Sequence, residues 1–424
     1  MPFEDYEDTI KKCLRCSLCK WIPQIQIKSQ KYASICPSID YYNYHTYSGG
    51  GKIILALSIY LNRLEPSEDL ADIVYKCSTC GGCAISCKYL NKLEPLEIIY
   101  ELRELLVEKG IGPMPKQKLY AEYAMEKHNP YNEPPEQRMD WVSEDIKISK
   151  NAKIAYFVGC TSSYRRKEIA KATAKILNKA GVEFQLLGSD EWCCGSPLLR
   201  TGMKKEALEL MNHNLDLIES LGIEEVVFSC AGCYSTFKAH YPRYRKYNFK
   251  VTHTSELFNR LIDEGKLKLK ENLKIKVTYH DPCHLGRDSE PYPEWNGKMV
   301  EVMPLISIPV PPKPLRRGTN GTYEPPRNVL KKIPGIDFVE MERIKEYSYC
   351  CGAGGGVKAQ YPDFALFAAK NRIDEAESTG AESLISACPF CATNLKDAID
   401  DSGSKLKFYD LSELLLKSLE DKEE

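Results

Sequence analysis

No stretch of this chain reaches the eighteen or more consecutive apolar residues that a membrane-spanning helix needs. The longest candidate, Ile53 to Leu61, is about half that length and runs into Asn62-Arg63. The first residues, MPFEDYEDTIKK, are charged and carry no apolar signal core, which argues against export. A formal net charge of -1 gives no reason to invoke nucleic acid. No Gly-x-Gly-x-x-Gly follows a strand-like run, and Ser48-Gly49-Gly50-Gly51-Lys52 lacks Walker spacing, so neither a flavin nor a nucleotide fingerprint is present. With 43% hydrophobic and 28% charged residues, the 424-residue chain has the makeup of a soluble protein of two or three domains. The last thing lacking is a spare cysteine: all eighteen fall into four spaced sets.

Cys13, Cys16, Cys19 and Cys36 form the first set, and Cys77, Cys80, Cys83 and Cys87 the second. The remaining ten divide into two similar fives: Cys160, Cys193, Cys194, Cys230 and Cys233, then Cys283, Cys350, Cys351, Cys388 and Cys391. A chain this long is no disulfide-stapled scaffold, so a reducing, cytoplasmic compartment with metal-bound thiolates is expected. Docking on the inner face of a membrane through a partner protein is compatible with this.

The second set, Cys-x2-Cys-x2-Cys-x3-Cys, matches the bacterial ferredoxin run, in which three thiolates hold one [4Fe-4S] cubane and the fourth reaches across to another. The first set departs from it, because sixteen residues intervene between Cys19 and Cys36, although Pro37 follows as the motif expects. Under the crossover rule Cys13, Cys16 and Cys19 group with Cys87, and Cys77, Cys80 and Cys83 with Cys36. A zinc ribbon is the alternative, but it leaves the third close cysteine of each triple unexplained.

The fives belong to an internal duplication. Lys153 to Cys160 answers Lys276 to Cys283, Trp192-Cys193-Cys194-Gly195 answers Tyr349-Cys350-Cys351-Gly352, and Glu225 to Cys233 answers Ser383 to Cys391. Short β-branched runs alternate with helical stretches at Arg166 to Ala180, Lys204 to Leu221 and Phe364 to Thr379, the pattern of parallel-sheet α/β lobes. Cys160, Cys230, Cys283 and Cys388 then sit at the carboxyl ends of strands, where open α/β sheets build their sites. Residues 1–150, a mainly α-helical ferredoxin-type domain with helices at Lys52 to Leu61, Ser67 to Tyr75 and Glu94 to Lys109, precede copies at 151–265 and 266–424. The second copy holds 66 residues between its first two cysteines against 32 in the first. The excess, a proline-rich insert near 288–322, reads as a surface loop, with a lid or partner-docking arm as the alternative.

Five thiolates exceed what zinc or an ordinary cubane takes, so each five implies a different metal assembly. Gly195, Gly232, Gly352 and Gly354 beside these sets would let backbone N–H groups approach sulfur, or would form plain turns. Trp192 and Tyr349 are expected to shield the clusters from water.

The repeated Cys, Cys-Cys-Gly, Cys-x2-Cys pattern resembles the CCG domain of heterodisulfide reductases, and a two-ferredoxin-motif head followed by two such domains resembles their D-type subunit over nearly the whole chain. His280-Asp281-Pro282-Cys283-His284 and Tyr323 to Gly335 also look like segments of that family. The stretch Cys13 to Trp21 with Tyr47 to Lys52 is similar to homologues associated with class II benzoyl-CoA reductase systems of anaerobic bacteria. The resemblance implies two cubanes, a noncubane [4Fe-4S] cluster in each five, and a disulfide as substrate.

Two functions follow. One is an electron-transfer subunit of an anaerobic redox complex, working with a flavoprotein or cytochrome partner that supplies the missing organic cofactor or haem. The other is a reductase that cleaves a heterodisulfide of the coenzyme M–coenzyme B type. With no free Cys-x-x-Cys left for thiol exchange, such cleavage would have to occur at cluster iron. His284, Arg287 and His280 are the candidate catalytic side chains, with packing around a cluster as the alternative role.

Overall fold

The computed structural model describes residues 6–270, 272–303 and 306–419. Its first part is helical. Ser48 caps helix Gly49–Tyr60 by accepting the Gly51 N–H at 3.0 Å, and Ser67 caps Glu68–Tyr75 by accepting the Leu70 N–H at 3.3 Å. Helix Pro95–Glu108 begins on a proline at its first position and ends before Gly110, whose φ of 72° reverses the chain. The three helices bury Ile53, Leu70, Val74, Ile98, Leu102 and Leu106 against one another. The first starts three residues earlier than the sequence suggests: the Ser48 cap offsets part of the poor helix propensity of three glycines, and the close approach of Cys83 to Gly49 and of Cys19 to Gly50 requires residues without side chains there.

The rest of the chain forms two parallel sheets. The first contains β1 (Ile154–Phe157), β2 (Gln185–Leu186), β3 (Glu225–Phe228) and β4 (Lys250–His253) in the order β2-β1-β3-β4. After β5 (Ile275–Tyr279), an antiparallel hairpin of β6 (Lys298–Met303) and β7 (Ile306–Val310) stands apart; β8 (Ile336–Phe338), β9 (Ser383–Ser386) and β10 (Lys407–Asp410) then complete a second sheet, ordered β10-β9-β5-β8. Matching β1 with β5, β2 with β8, β3 with β9 and β4 with β10 gives the same order in both. Registers such as Phe157 opposite Phe228 and Tyr279 opposite Ile385 hold each central pair parallel.

The two lobes exchange helix contacts reciprocally. Lys167–Lys179 of the first packs on Leu411–Leu419 of the second, and Glu324–Lys332 of the second packs on Thr254–Asp263 of the first. Lys332 Nζ donates to Asn259 Oδ1 at 2.9 Å across the latter seam. A continuous apolar core runs through both sheets, and fully buried side chains such as Leu177, Phe184, Ile218 and Leu415 each contribute about 2 kcal/mol by burial.

The insert is not a plain loop. Its β6–β7 hairpin is exposed, but its ends are anchored: buried Arg316 binds Asp288 Oδ1 at 3.0 Å, and Tyr292 donates to Glu97 of the N-terminal domain at 2.8 Å. Among the described residues no helix is long and apolar enough to cross a membrane.

Candidate metal centres

Cys13, Cys16, Cys19 and Cys87 surround one small cavity, with Gly50 and Asn91 between them. Cys36 lies with Cys77, Cys80 and Cys83. This is the crossed grouping that the ferredoxin run implies. Gly49 and Gly50 separate the two groups: the Gly50 N–H donates to Cys19 Sγ at 3.2 Å, and a Cβ on Gly49 would lie 2.9 Å from Cys83 Sγ. Nothing in the local pattern around these glycines explains them; the tertiary approach of Cys83 does. Lys52, fully buried, donates to the Tyr47 carbonyl near Cys36 and Cys77.

Gly49→Ala tests this contact. Alanine would ordinarily strengthen a helix by about 1 kcal/mol, whereas forcing a methyl group into a filled site costs about 1–3 kcal/mol. The contact is shorter than real Cβ atoms tolerate, so the second effect should win. The variant is expected to lose its cluster absorbance at a lower temperature than the wild type in an anoxic melt.

The ten remaining cysteines converge although they come from different lobes. The strands deliver them as their topology requires: Cys160, Cys230, Cys283 and Cys388 follow β1, β3, β5 and β9, and Cys230 and Cys388 each precede a helix N-terminus, where thiolate charge is favoured. Cys194 meets Cys233, and Cys351 Sγ lies 3.4 Å from Cys391 Sγ. Cys230 of one five also reaches Cys388 of the other. Nine of the ten line a single cavity of about 610 Å³. Lys116, Arg165, Arg166, Arg200 and Lys358 line it too, and its lining holds no carboxylate. Cys80, Cys283 and Cys350 pack together, joining the N-terminal domain to the second five.

The candidate catalytic side chains occupy three different settings. His280 accepts from Arg372 Nε through Nδ1 at 3.1 Å, and its ring lies with Cys351 and Cys391, ligand atoms within 4.8 Å of one another. Because arginine only donates, the proton of a neutral His280 must sit on Nε2, which has no hydrogen-bond partner. His284 lines the large cavity with its Nε2 likewise unpaired, and burial followed by the nearby Arg200 holds its pKa down to about 3, so it is neutral at pH 7. Arg287 instead donates to the carbonyls of Cys80, Glu346 and Ser348, at 2.9, 2.8 and 2.6 Å, clamping the second lobe to the N-terminal domain.

The glycines divide similarly. The Gly352 N–H donates to Cys350 Sγ at 3.3 Å, whereas Gly354 lets the Ser78 carbonyl approach to within 2.7 Å of where a Cβ would stand. Gly195 adopts φ 68° after the paired cysteines, and Gly232 faces Cys230 Sγ and the His284 ring. Trp192 is sandwiched between His128 and His213, at centroid distances of 3.8 and 3.6 Å, while Tyr349 donates to Asp40 at 2.7 Å. Neither aromatic was foreseen in that role, since histidines distant in sequence and an aspartate beyond Cys36 had no pattern to mark them.

The donor set suits a metal. Burial pushes the Cys36 thiol up and Cys87 to about 12, so thiolates there need a compensating cation, and sulfur is the ligand type that iron–sulfur clusters use. Comparison with known proteins agrees. The 4Fe-4S dicluster domain matches residues 9–90, and the cysteine-rich domain, CCG, matches 154–238, 277–318 and 315–396. The chain is 38% identical over 418 residues to the D-type subunit of dihydromethanophenazine:CoB–CoM heterodisulfide reductase from Methanosarcina acetivorans, covering 97% of this chain and 94% of that one. It belongs to the D-type family of heterodisulfide reductase subunits.

Other relatives of this heterodisulfide reductase-type chain come from different oxidoreductases. It is 30% identical over 371 residues to EtfAB:quinone oxidoreductase of Syntrophomonas wolfei, with 82% of this chain matching 47% of that one. It is 29% identical to the B-type subunit of fumarate reductase (CoM/CoB) from Methanothermobacter marburgensis, over 97% of this chain and 73% of that one. The crystal structure of a hypothetical protein from Helicobacter pylori shares its fold, with a TM-score of 0.52 at 11% identity over 99% of this chain and 76% of that chain. Iron–sulfur clusters and electron transfer in a redox complex are thus properties of this heterodisulfide reductase-type chain, and the parallel lobes and helical head are its fold.

Proposed function

We propose that the chain carries single electrons along four cluster sites, from the Cys13 group through the Cys36 group and the second five to the first five. The observation that carries this reading is the unbroken succession of neighbouring thiols: Cys19 with Cys83, Cys80 with Cys350 and Cys283, and Cys388 with Cys230. The clusters would supply one-electron storage, as two cubanes in the N-terminal domain and a noncubane [4Fe-4S] cluster in each five. The surplus thiolate in each five supports the noncubane assignment. The protein groups act on charge and water: Gly50 and Gly352 donate N–H groups to sulfur, and the His280 ring stands beside Cys351 and Cys391. A flavoprotein or cytochrome partner would complete the complex.

Reductive cleavage of a disulfide is the second reading, favoured by the cavity. Its volume of about 610 Å³ would be shared by the clusters of its nine cysteines and an organic molecule, and basic side chains line it, of which Arg165, Arg166, Arg200 and Lys358 already pair with Glu133, Glu168, Asp288 and Asp397. Cleavage breaks one S–S bond and consumes two electrons and two protons to give two thiols. His284, whose Nε2 is unpaired, would orient the molecule there.

Two measurements test these readings. Iron and acid-labile sulfide counts with EPR should give about sixteen irons per chain if all four sites hold four-iron clusters. The anoxic, cluster-loaded chain should also be mixed with reduced viologen and coenzyme M–coenzyme B heterodisulfide. Rapid turnover by the isolated chain favours cleavage; silence that ends only when a flavoprotein partner is added favours the conduit.

A further inference from the structure

Cys16 is the one exposed thiol among the eighteen cysteines. Around it the surface is apolar and basic. Leu14 is 72% exposed, and Tyr89 and Leu90 are 66% and 52% exposed on the helix whose Asn91 Nδ2 lies 3.6 Å from Cys16 Sγ. Arg15 beside Cys16 and Lys92 beside Asn91 are exposed cations and Lys20, four residues past Cys16, is half-buried, whereas Lys11 and Lys31 of the same stretch pair with Glu7 and Asp374. The other neighbouring thiol group, that of Cys36, is enclosed between this domain and the second lobe.

Building on the relay described above, we propose that this surface docks a redox protein whose one-electron centre lies behind an acidic face. Tunnelling needs the donor close to the cluster, and Cys16 is where a ligand sulfur reaches the surface. A basic rim steers an acidic partner, and the apolar centre at Leu14 and Leu90 excludes water once it has docked. One electron leaves the partner's centre and one enters the cluster site, with no bond made or broken. A basic and apolar patch also suits an anionic membrane, but a lipid surface neither gives nor accepts an electron, and placing a cluster ligand at that surface favours the protein partner.

The test uses the anoxic, cluster-loaded full chain and a reduced acidic ferredoxin with two [4Fe-4S] clusters. In stopped flow the second-order reduction rate should fall as salt rises, and Arg15→Glu/Lys92→Glu should slow it about tenfold at low ionic strength. Lys92→Glu alone, outside the Cys13 to Cys19 loop, should slow it severalfold. Reduction by cationic methyl viologen radical, the EPR spectrum and the iron content should stay unchanged. Carbodiimide coupling of the ferredoxin's carboxylates to amines should map to Lys20 or Lys92. A rate indifferent to salt and to both variants would overturn the proposal, as would cross-links confined to another face. So would variant-sensitive binding to phosphatidylglycerol vesicles with ferredoxin reduction unchanged. A wild-type chain that viologen cannot reduce would overturn the relay itself, and the docking with it.

Discussion

Cys351→Ala is expected to lose about four of about sixteen irons and to slow electron passage from the N-terminal domain to the large cavity by more than about 100-fold. Cys351 is buried, its Sγ lies 3.4 Å from Cys391 Sγ, and it follows Cys350, which packs against Cys80. It therefore belongs to the second five, the link through which electrons would enter the lobes. A serine in its place offers a harder oxygen ligand and should recover little of the iron. Iron analysis, EPR and single-turnover reduction from viologen would measure the effect, with far-UV circular dichroism confirming that the variant is folded. A full iron complement in the alanine variant would refute the ligand assignment.

Arg103→Met should destabilise the protein by roughly 3–5 kcal/mol. The Arg103 guanidinium is fully buried and donates to five carbonyls: Val74, Tyr75 and Cys77 of the N-terminal domain at 3.2, 3.3 and 2.7 Å, Arg200 of the first lobe at 2.7 Å, and Gly355 of the second at 2.9 Å. Methionine fills similar space but removes the guanidinium donors from those acceptors in a region that excludes water. Lysine keeps the charge but loses the planar fork, so Arg103→Lys should fall between. Urea midpoints on the cluster-loaded protein would rank the three. Since Cys77 is among the acceptors, the methionine variant should also lose cluster absorbance at lower urea than it loses helix signal.

What could be read from the sequence was whatever local spacing fixes. The ferredoxin run, the repeated Cys-Cys-Gly and the strand-like runs ending at Cys160, Cys230, Cys283 and Cys388 are short-range patterns, and the parallel lobes and helical head follow from them. Helix ends were legible where a cap was visible, as at Ser67, and missed where tertiary packing on Cys83 and Cys19 keeps a glycine run helical behind Ser48. Contacts between distant segments had no such mark. Arg103 is an ordinary residue of an amphipathic helix until three parts of the chain place their carbonyls around it. Arg287 stands four residues beyond Cys283 and looked able to face a substrate; its Nε and Nη1 instead hold three backbone carbonyls, and its buried Nη2 has no partner. The insert's proline and arginine content suggested a loose loop, yet Arg316 and Tyr292 become anchors once Asp288 and Glu97 are beside them. The approach of the two fives to each other was equally hidden, because spacing within each repeat says nothing about how the repeats face.

The reciprocal helix contacts between the lobes have the form of an isologous dimer interface, in which each half offers the other the same pair of surfaces. Here the two protomers are joined in one polypeptide. A symmetric homodimer would have to change both halves with every mutation, whereas this chain can alter one. It has done so: His280 stands where the first copy has Phe157, and only the second copy carries the hairpin insert. Covalent fusion thus lets the two sets of five cysteines sit in different surroundings, which a pair of identical halves cannot provide.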